Sequence, residues 1–264
     1  SDFDRRTLLD KLKQYSVAGI VPEFIDLKFL YVELNSAVYY NTNAVSDPDT
    51  LKTTIVSNLN TYARSEDLNK FGGRFKYSKI QKIIDDSSPA IVSNITKVKI
   101  RRNIEAIFEN PSQYELCYGN AFHNRKGGFN IKSTGFRIDG IGDTVYMADQ
   151  YLTETRGRLI FFTIEPGQEP NIVVNNAGTV KYDVGEILID TVRFVATDLP
   201  EHQIEVEAIP DSNDVLGLQD LYVQLAVDKS TITPTIDAIA SGSDNSGTSF
   251  VTTSSFSNGK YIRE

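Results

Sequence analysis

Between Leu30 and Tyr40 apolar residues recur at every second position, with Ser36 the one polar residue among them. Leu30, Val32, Leu34, Val38 and Tyr40 fall on one side, and Tyr31, Glu33, Asn35 and Tyr39 on the other. A two-residue period of this kind predicts a strand with one buried face. Ile25, Leu27 and Phe29 hold the opposite parity, so the strand is expected over Phe24–Tyr40 with its faces reset near Phe29–Leu30. A bulge there, or burial of the early half on both sides, would explain the reset. The period then lengthens. Leu51, Ile55, Leu59, Tyr62 and Ala63 form one stripe of a helix whose other face (Lys52, Thr53, Asn60, Thr61, Arg64) is polar. Asp47 is the expected N-cap, Pro48 the first helical residue, and Asp49 an anion in the first turn.

Phe71-Gly72-Gly73-Arg74 reads as a turn, since paired glycines widen the accessible dihedrals. Ser78 is expected to cap a short helix with Ile80, Ile83 and Ile84 inward, ended by Asp85-Asp86-Ser87-Ser88-Pro89. The two acids oppose the helix dipole and are expected to be solvated, or else to meet a basic partner. Ala90–Arg102 is the return strand: Thr96, Val98 and Ile100 face a core, and Lys97, Lys99 and Arg101 face away from it. Upstream, Asp4–Tyr15 reads as a helix capped by Asp4 with Leu8, Leu9, Leu12 and Tyr15 on one face. Ser16–Pro22 breaks it. The expectation is a packing helix at a domain edge, the alternative being the end of a longer helix that began upstream.

After Asn103 short strand patterns dominate. Candidates are Tyr114–Phe122, Gly128–Asp139, Thr144–Ala148, Gly157–Glu165, Asn171–Asn175, Glu186–Thr197, Gln203–Ile209 and Leu221–Val227. Leu159–Ile164 is apolar at nearly every position and is expected to be a central strand. Ile204, Val206 and Ala208 alternate with Glu205 and Glu207, giving one packed and one wet face. Lys126-Gly127-Gly128 and Asn175-Asn176-Ala177-Gly178 read as turns. The fold class is therefore α+β: an α/β unit over 1–103, with a long strand, two helices packed on a sheet and a return strand, followed by a mainly β domain over 104–264. The stretch from Ser241 to Gly259 is nearly all small and polar, and a flexible tail over about 241–264 is expected. Phe250 and Phe256 stand isolated in it as candidate docking anchors, on this chain's own surface or on another chain.

The order of these elements resembles the baseplate J-like family of contractile phage tails and related injection machines. The resemblance lies in the strand opened by Pro22-Glu23-Phe24, the helix after Asp47-Pro48, and Gly73 ahead of Tyr77-Ser78-Lys79-Ile80. It continues in Pro89-Ala90-Ile91-Val92-Ser93-Asn94-Ile95 running into the last strand. Within the family, the chain looks most like the C-terminal part of the wedge-linking proteins of T4-like phages, over roughly residues 20–105. The link Asp85–Pro89 departs from the glycine-valine pair that the wider family favours. Asp183–Ile189 and Ala208–Val215 look like the family's later strands. The resemblance implies a structural subunit without catalysis or cofactor. Its implied partners are itself, in homodimer or ring contacts, and other baseplate wedge proteins. The implied location is the virion tail baseplate, assembled in the host cytoplasm. Lys97, Lys99, Arg101, Phe250 and Phe256 are the candidate interface residues.

Composition narrows this further. The chain has 264 residues and a formal net charge of −8. That excess of acid argues against general binding to nucleic acid or to an anionic membrane, which need a basic footprint, although a local basic patch is compatible with it. No apolar run approaches a membrane span. Ser1 stands where an initiator Met would, and a fragment or processed chain is expected. Cys117 is the single cysteine, which excludes an intramolecular disulfide and, between Leu116 and Tyr118 on a strand, is expected to fill core.

Candidate chemistry is sparse. His123 and His202 have no cysteine or histidine at metal-ligand spacing, and no metal site is expected. Asp211-Ser212-Asn213-Asp214 lacks the glycine and glutamate of a calcium loop, with Leu216 and Tyr222 standing there instead, so a polar turn is expected. Gly140-Ile141-Gly142 lacks a third glycine at dinucleotide spacing, since Val145 occupies that position. Asn94-Ile95-Thr96 matches a glycosylation sequon but lies on a strand with no secretory context. No catalytic residue is nominated. The competing readings are a carbohydrate-binding or adhesin module, which the absence of Trp disfavours, and an enzyme, for which no substrate follows from the residues.

Overall fold

The computed structural model describes residues 2–16, 28–45, 47–68, 70–124, 126, 129–164, 169–218, 221–242, 256–257 and 260–261. The first elements are α1 (Asp2–Tyr15), β1 (Lys28–Tyr40), α2 (Pro48–Ala63), β2 (Arg74–Phe75), α3 (Tyr77–Asp85) and β3 (Ile91–Glu105). There follow β4 (Ser112–Cys117), β5 (Lys132–Ser133), β6 (Phe136–Ile138), β7 (Val145–Tyr151), β8 (Arg156–Thr163) and β9 (Asn171–Lys181). The last are β10 (Glu186–Val192), β11 (Phe194–Thr197), β12 (Gln203–Ala208), β13 (Val215–Leu216), β14 (Leu221–Leu225), β15 (Thr231–Ile236), β16 (Phe256–Ser257) and β17 (Lys260–Tyr261). Among the described residues, helices lie in the first third and strands run throughout, which makes the α+β class plain.

β1 and β3 pair antiparallel, with Val32 opposite Ile100, Leu34 opposite Val98 and Ser36 opposite Thr96. These side chains form the inner face. Ser36 and Thr96 interrupt the apolar run and satisfy one another at 2.7 Å, and the Tyr77 hydroxyl donates to the Thr96 carbonyl. α2 and α3 cover this face through Leu51, Ile55, Leu59, Tyr62, Ile80 and Ile84, all buried. Asp47 caps α2 as expected, accepting from the Asp49 and Thr50 N–H groups.

The sheet does not end with this unit. β14 and β15 lie parallel to β1 on one edge, β14 beside Lys28–Val32 and β15 beside Asn35–Tyr40. Between them the Leu34 N–H donates to the Ser230 hydroxyl. Pro234 sits on β15, where its missing N–H can face solvent. On the other side β12 pairs with β3, which runs through Asn103 to Glu105. The order continues through β5, β7, β8, β9 and β10 to β4. The sheet curls, so that β4 returns towards β3 and an Arg102 guanidinium N–H donates to the Cys117 carbonyl at 2.5 Å. The Tyr118 hydroxyl donates to the Val206 carbonyl inside the curl. β8 is central, between β7 and β9, as its apolar run required.

Five local expectations are corrected. α1 begins at Asp2, so Asp4 lies within it and is not its cap. Its apolar face is open: Leu8, Leu12 and Tyr15 are exposed rather than packed. β1 pairs with β14 in unbroken register across Phe29 and Leu30, and the bulge of β1 against β3 lies at Tyr39–Tyr40. Phe29 keeps its parity by joining aromatics on the outer face, against Tyr31 at 5.8 Å and Tyr222 at 6.1 Å. Ser78 lies inside α3, whose first N–H instead donates to the Asp214 carboxylate at 2.8 Å. Asn175–Gly178 is not a turn but a bulged part of β9, where Gly178 approaches β10 so closely that a Cβ would stand 2.0 Å from the Leu188 oxygen. The expected segment from Ser16 to Pro22, the strand start at Phe24–Leu27, Gly127, Gly128 and Phe250 lie wholly or mostly outside the described residues.

Candidate functional site

The stripe Lys97, Lys99 and Arg101 lies on the outer face of the sheet, away from the helices, because each alternates with a core residue of β3. Register decides what it meets there. Glu33 of β1 stands opposite Lys99, and Glu207 of β12 opposite Arg101. Arg101 itself is 5% exposed. Its Nε donates to Glu33 at 2.5 Å, and its Nη1 pairs with Glu205 at 2.9 Å and donates to Asn103. The guanidinium lies over the Tyr31 ring, 4.3 Å from its centre, a cation–π placement. Lys229, from the link between β14 and β15, reaches Glu205 at 3.4 Å, and Lys99 reaches Glu207 at 3.1 Å. The acidic partner of the basic stripe is therefore supplied by the chain itself. Arg101 joins β1, β3 and β12, and Lys97 stays partly exposed at the end of the stripe.

A second buried charge escaped sequence reasoning. Asp149 on β7 is 3% exposed, and one carboxylate oxygen accepts the Asn130 and Ile131 N–H groups at 2.7 Å each. The other accepts the Tyr182 hydroxyl at 2.8 Å. Burial pushes the Asp149 carboxyl above the ordinary carboxylate range, with the donors acting against it. Asn130 extends the knot, donating to the carbonyls of His123 and Ile209 and accepting the Ile209 N–H. Nothing in the local pattern Tyr146–Tyr151 separates this acid from a solvated one.

The remaining candidate residues, among those described, are scattered apart from one small cluster. Cys117 is half-buried rather than core, its Sγ 3.6 Å from a Glu115 oxygen. Burial and the Glu115 charge push its thiol up, away from the reactive thiolate. Glu115, Cys117 and Glu186 lie close together, but Lys181 already holds Glu186 at 2.6 Å. His123 faces Asp211 at 3.7 Å, while His202 stacks on Phe108 with ring centres 4.1 Å apart. Asp211–Asp214 is a turn whose last residue caps α3. Asp85 accepts from Asn94 and Asp86 pairs with Lys82 of its own helix. Phe256 pairs in register with Tyr261 in the short β16–β17 hairpin.

Residues 28–103, which run from the start of β1 almost to the end of β3, match the family described as baseplate structural protein gp6, C-terminal domain III. This segment is similar to a gp6-type baseplate domain. The chain is also 24% identical over 209 residues to the baseplate wedge protein gp6 of Enterobacteria phage T4. That similarity covers 69% of this chain and 31% of the relative, so the chain spans under a third of the relative's length. The resemblance read from the order of elements is thereby borne out, and the matched segment coincides with the unit of two long strands, the short β2 and two helices that Arg101 ties to β12.

Proposed function

We propose that the chain is a structural subunit of a contractile phage tail baseplate, located in the virion tail. It forms wedge and inter-wedge contacts that build the baseplate ring and hold it ready for sheath contraction. The match of residues 28–103 to the gp6 domain carries this reading. The work of such a subunit is binding to copies of itself and to other wedge proteins. Lys97, and the tail residues Phe250 and Phe256, are candidate contact points. The open apolar face of α1, with Leu8 49%, Leu12 43% and Tyr15 85% exposed, supports a chain built to be covered by another. The buried charges Arg101 and Asp149 serve rigidity, each being engaged by several partners inside the fold. No nucleic acid, membrane or cofactor enters this function.

The decisive measurement is light scattering on the chain alone and after mixing with other baseplate proteins of the same phage. Concentration-dependent mass and a stable mixed complex are expected. A strict monomer that also ignores every wedge protein would sink the proposal. Deleting Ser241–Glu264 should weaken association if the tail docks on a neighbour.

A further inference from the structure

Residues 64–79 form a local exception in an acidic chain. Arg64, Lys70, Arg74, Lys76 and Lys79 stand against only Glu66 and Asp67 there, while the whole chain carries −8. Lys79 is taken up by Asp67, which leaves Lys70, Arg74 and Lys76 exposed around the turn. At its tip Phe71 is 57% exposed, with one edge of its ring against Tyr222 at 5.1 Å. Gly72, at φ +65°, turns the chain just after Phe71, whose backbone bridges Tyr222. The exposed part of Phe71, with exposed Lys70 and Arg74 close by in the chain, is the candidate knob.

The curled sheet contains a hollow of matching character. β9 and β10 are hydrogen-bonded only from the Gly178–Ile189 pair to the Lys181–Glu186 pair. Beyond it β9 bulges against β8 and β10 bulges against β4, and the two strands part. The fork holds an open hollow of about 240 Å³, lined by Phe161, Val174, Ala177 and Val192 together with Asp139 and Asp190. A cavity of roughly 150 Å³ already takes a benzene ring. Arg193 on the same border is held by Asp139 and Glu109, so the rim remains net acidic.

We propose that Phe71 of one copy seats in the β9–β10 fork of a second copy, with Lys70 and Arg74 meeting Asp139 and Asp190. Apolar meets apolar, and the charge around each is opposite. Knob and socket are different surfaces, so the contact is head-to-tail and repeats from copy to copy, closing a ring where the rotation allows. This inference rests on the reading that copies of the chain assemble, and assigns the surfaces. The flanking charges speed encounter and make the contact weaken as salt rises.

Sedimentation of the 264-residue chain across a concentration series tests it. Wild type associates, and Phe71→Ser, Arg74→Glu and Asp190→Lys each weaken association about tenfold or more. The double variant Arg74→Glu/Asp190→Lys restores it, because the reversed knob now fits the reversed socket. All three positions are exposed, so the fold is not at stake, and a thermal melt verifies this. Association of wild type that none of the variants changes would overturn the pairing while leaving self-assembly intact. Weakening without rescue in the double variant would assign the knob to a different acidic surface and overturn the socket. A wild type that stays monomeric throughout would remove self-association and this contact together.

Discussion

Arg101, in the gp6-type segment, and Asp149, in the curled sheet, are almost equally sealed from water, at 5% and 3% exposure. They are held by opposite means. Arg101 lies on regular strands whose backbone groups already bond one another, so its charge is met by side chains brought opposite it by register. Asp149 lies beside Asn130 and Ile131, just ahead of the two-residue strand β5, where no ladder claims the N–H groups. There the carboxylate stands in for the missing strand partner. Where backbone pairing is complete, buried charge is matched by charge; where it lapses, buried charge repairs the backbone.

The largest expected effect tests the second half of this contrast. Asp149→Ala strands the Asn130 and Ile131 N–H groups and the Tyr182 hydroxyl, and loses on the order of 4 kcal/mol, at roughly 1–3 kcal/mol per orphaned group. Urea unfolding reads this as a lowered midpoint; an unchanged midpoint would mean that water takes over the donors. Arg101→Ala leaves Glu33 and Glu205 facing each other with little solvent, a loss of about 3 kcal/mol. Arg101→Met should recover part of it by packing on Tyr31 while leaving Glu33 unpaired and Glu205 with Lys229 alone. If Arg101→Ala proves neutral, the outer-face network is an ordinary surface cluster and the contrast fails.

The pH response separates the two further. Because burial raises the Asp149 carboxyl, the native chain holds that proton more tightly than the unfolded chain. The associated stability is full below the ordinary carboxylate range, near about 4, and is lost as pH rises through the raised native value. Wild type should therefore lose stability relative to Asp149→Asn as pH climbs from about 4 towards neutral. A gap constant over that range would show that the donors outweigh burial. Smaller still, Asp214→Ala removes the cap of α3 at a cost of about 1 kcal/mol, seen as faster amide exchange in Tyr77–Ile80. Lys99→Ala, on a pair open to solvent, should cost well under about 1 kcal/mol, and a double-mutant cycle with Glu207→Gln measures it.

What was legible in the sequence follows from these same distinctions. The alternation of Leu30–Tyr40, the cap and stripe of α2 and the alternation of β12 were readable because each depends on neighbours within a few residues. The chemistry of the outer face was half readable: the side of the strand on which Lys97, Lys99 and Arg101 stand follows from parity alone. Their neutralisation does not, because it depends on β12 being laid beside β3 from about a hundred residues away. The same holds for Asp149, whose partners come from β9's end and from an irregular segment, and for Asp214 capping a helix 137 residues upstream. β15 escaped notice because its Thr-Ile-Thr-Pro-Thr-Ile run reads as an edge interrupted by proline until β1 is there to receive it.

The sequence by itself determined the local elements, the α+β class and, through the order of elements, the resemblance of roughly residues 20–105 to a baseplate domain. Backbone propensity, caps and side-chain parity act over one or two turns of chain, and those interactions survive without knowledge of the rest. Tertiary structure alone decided which charges are buried, which cap serves α3, where β9 and β10 part, and that Phe71 and the acidic fork both face outward. Each of these is set by register and curvature between segments far apart in sequence, where a shift of one residue exchanges the inner face of a strand for the outer.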